Sequence, residues 1–457
     1  MLIGGAAVGV CVLAAGVWLG NGQHLFDLWK DVPVEGNGES VQLAEAVFAS
    51  QAEEPEAPEE LLTLVEPLPS RFDLREQGTA PTVPDQGTFG TCWAFASLGA
   101  LESSMPADLR QTLSADHMSL QNSFGLSQND GGDYSIATSY LLAWQGPVAE
   151  ADDRYGDGYS PEHLDPVCHL QEFQILKEKD FDAIKRAVLE YGGVQSSFYM
   201  PQTDERERGR YYNEETQGFY YDGSLGANHD VVIVGWEDSY PKENFVKEPA
   251  RDGAFLCMNT WGESFGDRGY FYISYEDSRI GRSSVVYTGV ERMDNYDSIY
   301  QTDLCGWTGQ LGYGAETAWF ANVYEAEAES EIVAAGFYAT VEDTSYRIYM
   351  AEAVGAEVSF AEKKLVAEGH LNHAGFYTVT WEAPLGVDAG ERFAVIVEVE
   401  SKGSTEPVAV EYVVGERTSQ VDLSDGEGYI SPDGITWQRA ETELQCNICL
   451  KAYGRKK

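Results

Sequence analysis

Basic side chains are scarce in this chain. Thirty lysines and arginines face 75 aspartates and glutamates, a net charge of −45 over 457 residues. Such a surface repels phosphate backbones, which argues against nucleic acid as a partner. It favours solubility and draws in basic substrates without defining a fold. Cysteine is scarce too: seven residues, odd in number and scattered, do not make a disulfide scaffold. Cys446 and Cys449 form a single C-x-x-C with no second pair to complete a zinc site, and they read as small residues of a terminal strand. Long apolar runs are absent save one. Residues 2–19 carry no charge, and Lys30 is the first basic side chain. That length suits a signal peptide or a membrane anchor over residues 1–20, so the protein is expected to be secreted or held at the cell surface. Cys11 lies in this run without lipobox flanks and is a bystander.

At this length two or three units are expected. Residues 21–67 hold Glu53, Glu54, Pro55, Glu56, Pro58, Glu59 and Glu60, too polar to fold alone, and read as an acidic linker or a short propeptide. Composition changes at Pro69. Residues 92–101 have apolar spacing of three and four, which predicts a buried helix. Residues 181–190 predict an amphipathic helix ended by Gly192 and Gly193. Residues 231–234, 254–258 and 270–274 predict strands, so residues 68–291 make an α+β unit. Over residues 292–457 helix signals nearly vanish. Strands are expected at 346–350, 376–381, 393–399, 408–412, 429–430 and 435–437, the last two joined by a turn at 431–434. That punctuation predicts an all-β sandwich.

The chemistry centres on the segment from Asp85 to Phe95. A cysteine opening a helix, as Cys92 does, feels the positive helix end, which favours thiolate. Glycines before it leave room for a substrate backbone. Gln86, six residues upstream, can return across that turn and point its amide at the nucleophile, forming an oxyanion hole with the Cys92 backbone N–H. Taken alone, a cysteine before an apolar helix is more often core.

The surrounding residues decide against that bland reading. The segment resembles the active-site motif of papain-like cysteine peptidases, with Phe89 at the place of that motif's first cysteine and Thr91 at its Ser/Ala position. The missing cysteine removes a family disulfide and fits a bacterial member. Ala227-Asn228-His229-Asp230 resembles the family's histidine strand, about 140 residues beyond Cys92 and inside the spacing of roughly 130–150. Asn259-Thr260-Trp261-Gly262 resembles its Asn-Ser-Trp-Gly, somewhat beyond that spacing, as an insertion would produce. The resemblance implies a helical half plus a β-barrel-like half, a peptide-hydrolysing Cys92, His229 and Asn259, Gln86 at the oxyanion, and no cofactor or metal. It also implies that Trp261 shields the His229–Asn259 bond and that Gly131 and Gly132 pair with an extended peptide, although a plain turn explains the glycines equally well. Asp230, where relatives carry a small residue at a subsite wall, is expected to favour basic or polar substrate side chains. Residues 292–457 resemble the lectin-like sandwich that follows such peptidases in exported clostridial proteins, which implies a glycan, cell-wall or surface-protein ligand.

Other readings of these residues stay open at this point. His370 and His373 are half of a metal site without partners, in a turn-like stretch. Residues 422–428 resemble a calcium loop only superficially, because Glu427 stands where that loop needs glycine. A surface adhesin with a relict peptidase fold would have no reason to keep Gln86, Cys92, His229 and Asn259 together. A thiol-dependent cell-wall amidase or transpeptidase is distinguished by its failure to hydrolyse unmodified protein.

Overall fold

The computed structural model describes residues 66–457 except 162, 203, 204, 355, 356 and 359. The expected signal or anchor and nearly all of the acidic segment lie outside the described residues. Among these, no helix is long and apolar enough to cross a membrane.

The helix Cys92–Ser104 is rich in alanine, free of β-branched residues and apolar all round, as a helix enclosed on every side must be. It stops at Met105, whose extended backbone is what the following Pro106 requires. It packs on the strand His229–Glu237, on the strand Ser284–Glu291 and on the helix Tyr134–Leu142. The helix Phe181–Glu190 starts at Asp180, whose carboxylate accepts the Ala183 N–H, and buries Ile184, Ala187 and Val188. Beyond its end Gly192 has φ +125°, a conformation that excludes a side chain at little cost only for glycine.

The strand His229–Glu237 is buried along all but its last residue and lies between Val194–Phe198 and Ala254–Met258, antiparallel to both. Ala254–Met258 in turn pairs with Tyr270–Ser274. Antiparallel order brings the start of one strand beside the end of its neighbour. His229 opens its strand and Asn259 directly follows Met258, so both arrive at the same end of the sheet.

This sheet does not stop at the edge of the α+β unit. The strand His169–Leu176 pairs on one side with Ser284–Glu291 and on the other with Ala374–Val387, Phe173 facing Phe376. The order continues through Ser330–Ala339, Leu450–Lys456 and Ser298–Tyr300, making one sheet of 13 strands across both units. Against this extension lies a seven-stranded sheet that includes Thr317–Glu325, Thr344–Val354, Arg392–Ser401 and Gly428–Ser431. Phe320, Ile348, Val395 and Val397 from one sheet meet Ala335, Phe337, Leu450 and Ala452 from the other, giving the expected sandwich. Tyr338, Phe376, Ala409 and Cys449 belong instead to the core of the first unit, so the second unit completes that core while keeping one of its own.

Two local expectations fail. Residues 435–437 form no strand: the Asp433 carboxylate accepts the N–H groups of both Ile435 and Thr436, which holds the backbone in a turn, and the pairing passes to Gln438–Arg439. His370 lies on the strand Lys364–Leu371 rather than in a turn, and faces Asp343 at 3.0 Å. Cys446 and Cys449 are buried free thiols flanking the short strand Asn447–Ile448.

Candidate active site

Cys92 is the first residue of its helix and is half-buried. Thr91, at the capping position, makes no side-chain bond to the helix; its hydroxyl pairs with the Tyr155 hydroxyl at 2.6 Å. The Ala94 N–H donates to Thr91 O at 3.0 Å, so the N–H groups of Cys92 and Trp93 are those left at the helix start, beside the sulfur. Burial pushes the Cys92 thiol up to about 12, with the Asp230 carboxylate adding to the rise, while the backbone N–H groups of Asp230, Trp93 and Cys92 pull it down. Burial also holds the His229 imidazole down at about 4, opposed by its bond to Asn259. Each environment favours the neutral form. A thiolate and imidazolium form together only when their mutual attraction and the helix N–H groups offset that cost.

His229 and Asn259 are 2% and 0% exposed, and His229 Nε2 lies 2.7 Å from Asn259 Oδ1. An amide oxygen only accepts, so Nε2 carries the proton and Nδ1 offers its lone pair. The Gln202 amide approaches that Nδ1 at 3.4 Å while donating to Asn228 O at 2.9 Å. The indole of Trp261 lies over the imidazole, ring centroids 4.9 Å apart, and Phe265 meets it edge-on.

Gln86 is 4% exposed and tied on three sides. Its backbone N–H donates to Thr260 O at 2.8 Å, its Oε1 accepts the Thr260 hydroxyl at 2.5 Å, and its Nε2 donates to Phe89 O at 2.8 Å. One side-chain N–H remains beyond the bond to Phe89. Thr260 also donates its backbone N–H to Asn259 Oδ1, so one residue orders both the glutamine and the asparagine. Tyr155 donates to Gln86 O at 2.9 Å. Thr260, Tyr155 and Gln202 were not singled out from sequence. Thr260 had a signal, its place inside the Asn-x-Trp-Gly motif; the other two had none, because their partners are far away along the chain.

Gly131 has φ +75°, and a Cβ on Gly132 would stand 2.7 Å from the Trp93 indole, so both positions suit only glycine. They lie beside Gly90, whose N–H donates to Gln128 O, and so flank the start of the Cys92 helix. Asp230 projects from the opposite face of its strand to His229. It is 6% exposed, and its Oδ2 accepts from Gln195, which in turn accepts the Ser97 hydroxyl. The sandwich reaches this region as well. Arg417 donates to Asp133, the cap of the helix Tyr134–Leu142 one residue beyond Gly132, and its backbone oxygen accepts the Gly125 N–H.

A family model described as papain family cysteine protease matches residues 68–290, and one described as lectin like domain matches residues 299–454. Among curated proteins the chain is similar to cathepsin S of Bos taurus, 28% identical over 250 residues, which is 51% of this chain and 66% of that protein. It thus spans just under two thirds of that relative's length. Among solved structures it is similar to the cysteine protease and lectin-like domains of Cwp84, a surface layer associated protein of Clostridium difficile, with TM-score 0.72 and 22% identity over 85% of this chain and 89% of that one. A Cwp84 variant after propeptide cleavage gives TM-score 0.74 and 22% identity, covering 85% of this chain and 99% of that one. At that identity the likeness is one of fold, and it includes both units together.

Proposed function

Because residues 68–290 are a papain-family cysteine protease domain and residues 299–454 a lectin-like domain, we propose that this protein is an exported cysteine endopeptidase carrying its own binding domain. In this reading residues 68–291 are the catalytic unit and 292–457 the binding unit. The observation that carries it is the His229–Asn259 pair at 2.7 Å, which leaves Nδ1 of a buried imidazole as a proton acceptor at the end of the sheet that the Cys92 helix packs on.

The reaction follows from these roles. His229 Nδ1 takes the Cys92 thiol proton, and the thiolate attacks a peptide carbonyl carbon. The tetrahedral oxyanion is held by the remaining Gln86 amide N–H and the Cys92 backbone N–H. As the C–N bond breaks, His229 returns the proton to the departing amine, leaving an acyl-enzyme. Water, deprotonated by His229, then attacks the thioester and releases the acid with the thiol restored. Asn259 keeps the imidazole in the productive tautomer, and Trp261 keeps water from their bond.

Gly131 and Gly132 offer backbone to an extended peptide, and Asp230 biases the adjoining subsite toward basic or polar side chains. A library with only bulky apolar preference there would remove that role from Asp230. The lectin-like unit binds a glycan, a cell-wall component or a surface protein. Export rests on the uncharged run 2–19, and the surface-layer association of Cwp84 accords with it.

The test is hydrolysis of a fluorogenic peptide library by residues 65–457, beside Cys92→Ala and a sample blocked with a thiol-reactive epoxide. Cleavage lost in both controls is expected. Folded protein that cleaves nothing, with Cys92 inert to the epoxide, would refute the reading.

A further inference from the structure

The departing half of a substrate must lie beside His229, since the imidazole that receives the thiol proton is the group that hands it to the amine. Next to His229 stands Trp261, and over the Trp261 ring stands the guanidinium of Arg208, 5.4 Å from its centroid. Arg208 ends the short helix Glu205–Arg208, with exposed Arg206 and Arg210 on either side. The segment alternates acid and base, Glu205-Arg206-Glu207-Arg208, and Arg208 is the member that meets Trp261.

What Arg208 bonds within the protein is little. Its side chain is 22% exposed, and among the described residues its ion-pair partner is Glu205, at 3.9 Å and 91% exposed. A contact of that length to so hydrated a carboxylate holds the arginine only weakly. Glu207, the other acid of this helix, accepts from the Tyr199 hydroxyl at 3.4 Å. An aromatic face attracts a guanidinium without consuming its N–H donors, so the planar fork stays available for a carboxylate.

We infer that Arg208 is a specificity-determining residue on the leaving-group side of the cleft, selecting substrates with aspartate or glutamate one or two positions after the scissile bond. The inference rests on the endopeptidase reading above and names a substrate class for it. Together with Asp230 on the acyl side, it makes the cleft bipolar: a cationic or polar residue before the cut, an acidic one after it.

Internally quenched peptides that differ only by Glu, Gln or Lys at those two positions test this on the 65–457 chain. Wild type is expected to favour Glu over Gln by about tenfold in kcat/KM, the size of one charge-assisted hydrogen bond, and less at high salt. Arg208→Gln brings that ratio close to one, Arg208→Lys keeps part of it, and Arg208→Glu turns the preference toward Lys, with melting temperatures confirming that each variant is folded. Equal rates for Glu and Gln in wild type, or an unchanged ratio in Arg208→Gln, overturn the inference and leave the peptidase reading standing. Absence of all hydrolysis, with Cys92 inert to the epoxide, overturns both.

Discussion

Replacing Thr260 by valine tests the oxyanion role proposed for Gln86 apart from the nucleophilic role proposed for Cys92. Thr260 is fully buried, and its hydroxyl donates to Gln86 Oε1 at 2.5 Å. Valine keeps the shape and the backbone bonds to Gln86 and Asn259 but removes that donor. The Gln86 carbonyl, in a residue only 4% exposed, is then left without this partner, at a cost of about 1–3 kcal/mol. That cost is one of fold stability; if Gln86 is aimed at the oxyanion, its freed amide swings away and kcat/KM drops toward the roughly 100-fold lost when one oxyanion donor is removed. Because the oxyanion exists only after attack, the loss appears in kcat with KM held. Alkylation of Cys92 by an epoxide forms no tetrahedral oxyanion, so its rate is expected to stay within about twofold. Thr260→Ser, which restores a hydroxyl, recovers most of kcat. A fall in alkylation equal to the fall in kcat would refute the reasoning, since Thr260 would then be supporting the cysteine and histidine rather than the glutamine.

Glu102, buried in the Cys92 helix, accepts the Leu113 N–H, and burial raises its carboxyl from an ordinary 4.5 to about 8. The folded chain keeps a proton that the unfolded chain releases, so stability from this group is full below about pH 4.5 and is lost as pH rises through 8. Glu102→Gln should therefore gain in melting temperature relative to wild type between pH 5 and 8; a pH-independent difference would contradict this. Ending the chain at residue 291 uncovers the edge of His169–Leu176 and strips Tyr338 and Phe376 from the first core, so the product is expected to aggregate. A soluble monomer with wild-type kcat would show that the cores are independent. Lys451 and Asp303 form a buried pair at 2.9 Å, and Lys451→Met, which abandons the carboxylate, should cost about 3–5 kcal/mol in chemical unfolding, with much of it recovered by adding Asp303→Asn. A loss under about 1 kcal/mol would mean that water reaches Asp303.

The strands and helices that position Cys92, His229 and Asn259 were legible because their apolar patterns are local. A helix without β-branched residues, two runs of buried β-formers and a glycine-ended amphipathic helix each carry their signal within ten residues. The strand Ser330–Ala339 was not legible: its middle is Ala334, Ala335 and Gly336, poor β-formers, and from Ala334 on every residue is buried, which erases the alternation that marks a strand. The strand expected at 435–437 misled because an aspartate carboxylate, two residues before Ile435, takes the N–H groups that pairing would need.

By itself the sequence determined the order of the two units, the residue types of the candidate site and their place at element ends, because a cysteine at a helix start and a histidine at a strand start are written in adjacent residues. Only the tertiary structure decided what orients them. Thr260 on Gln86, Tyr155 on Thr91, Arg208 over Trp261 and Arg417 on Asp133 join segments far apart in the chain, and no local pattern encodes which will meet. The same holds for the sheet that fuses the units. The pairing of His169–Leu176 with Ala374–Val387 is made by backbone N–H and C=O groups that every residue carries, so only the assembled fold could specify the partner.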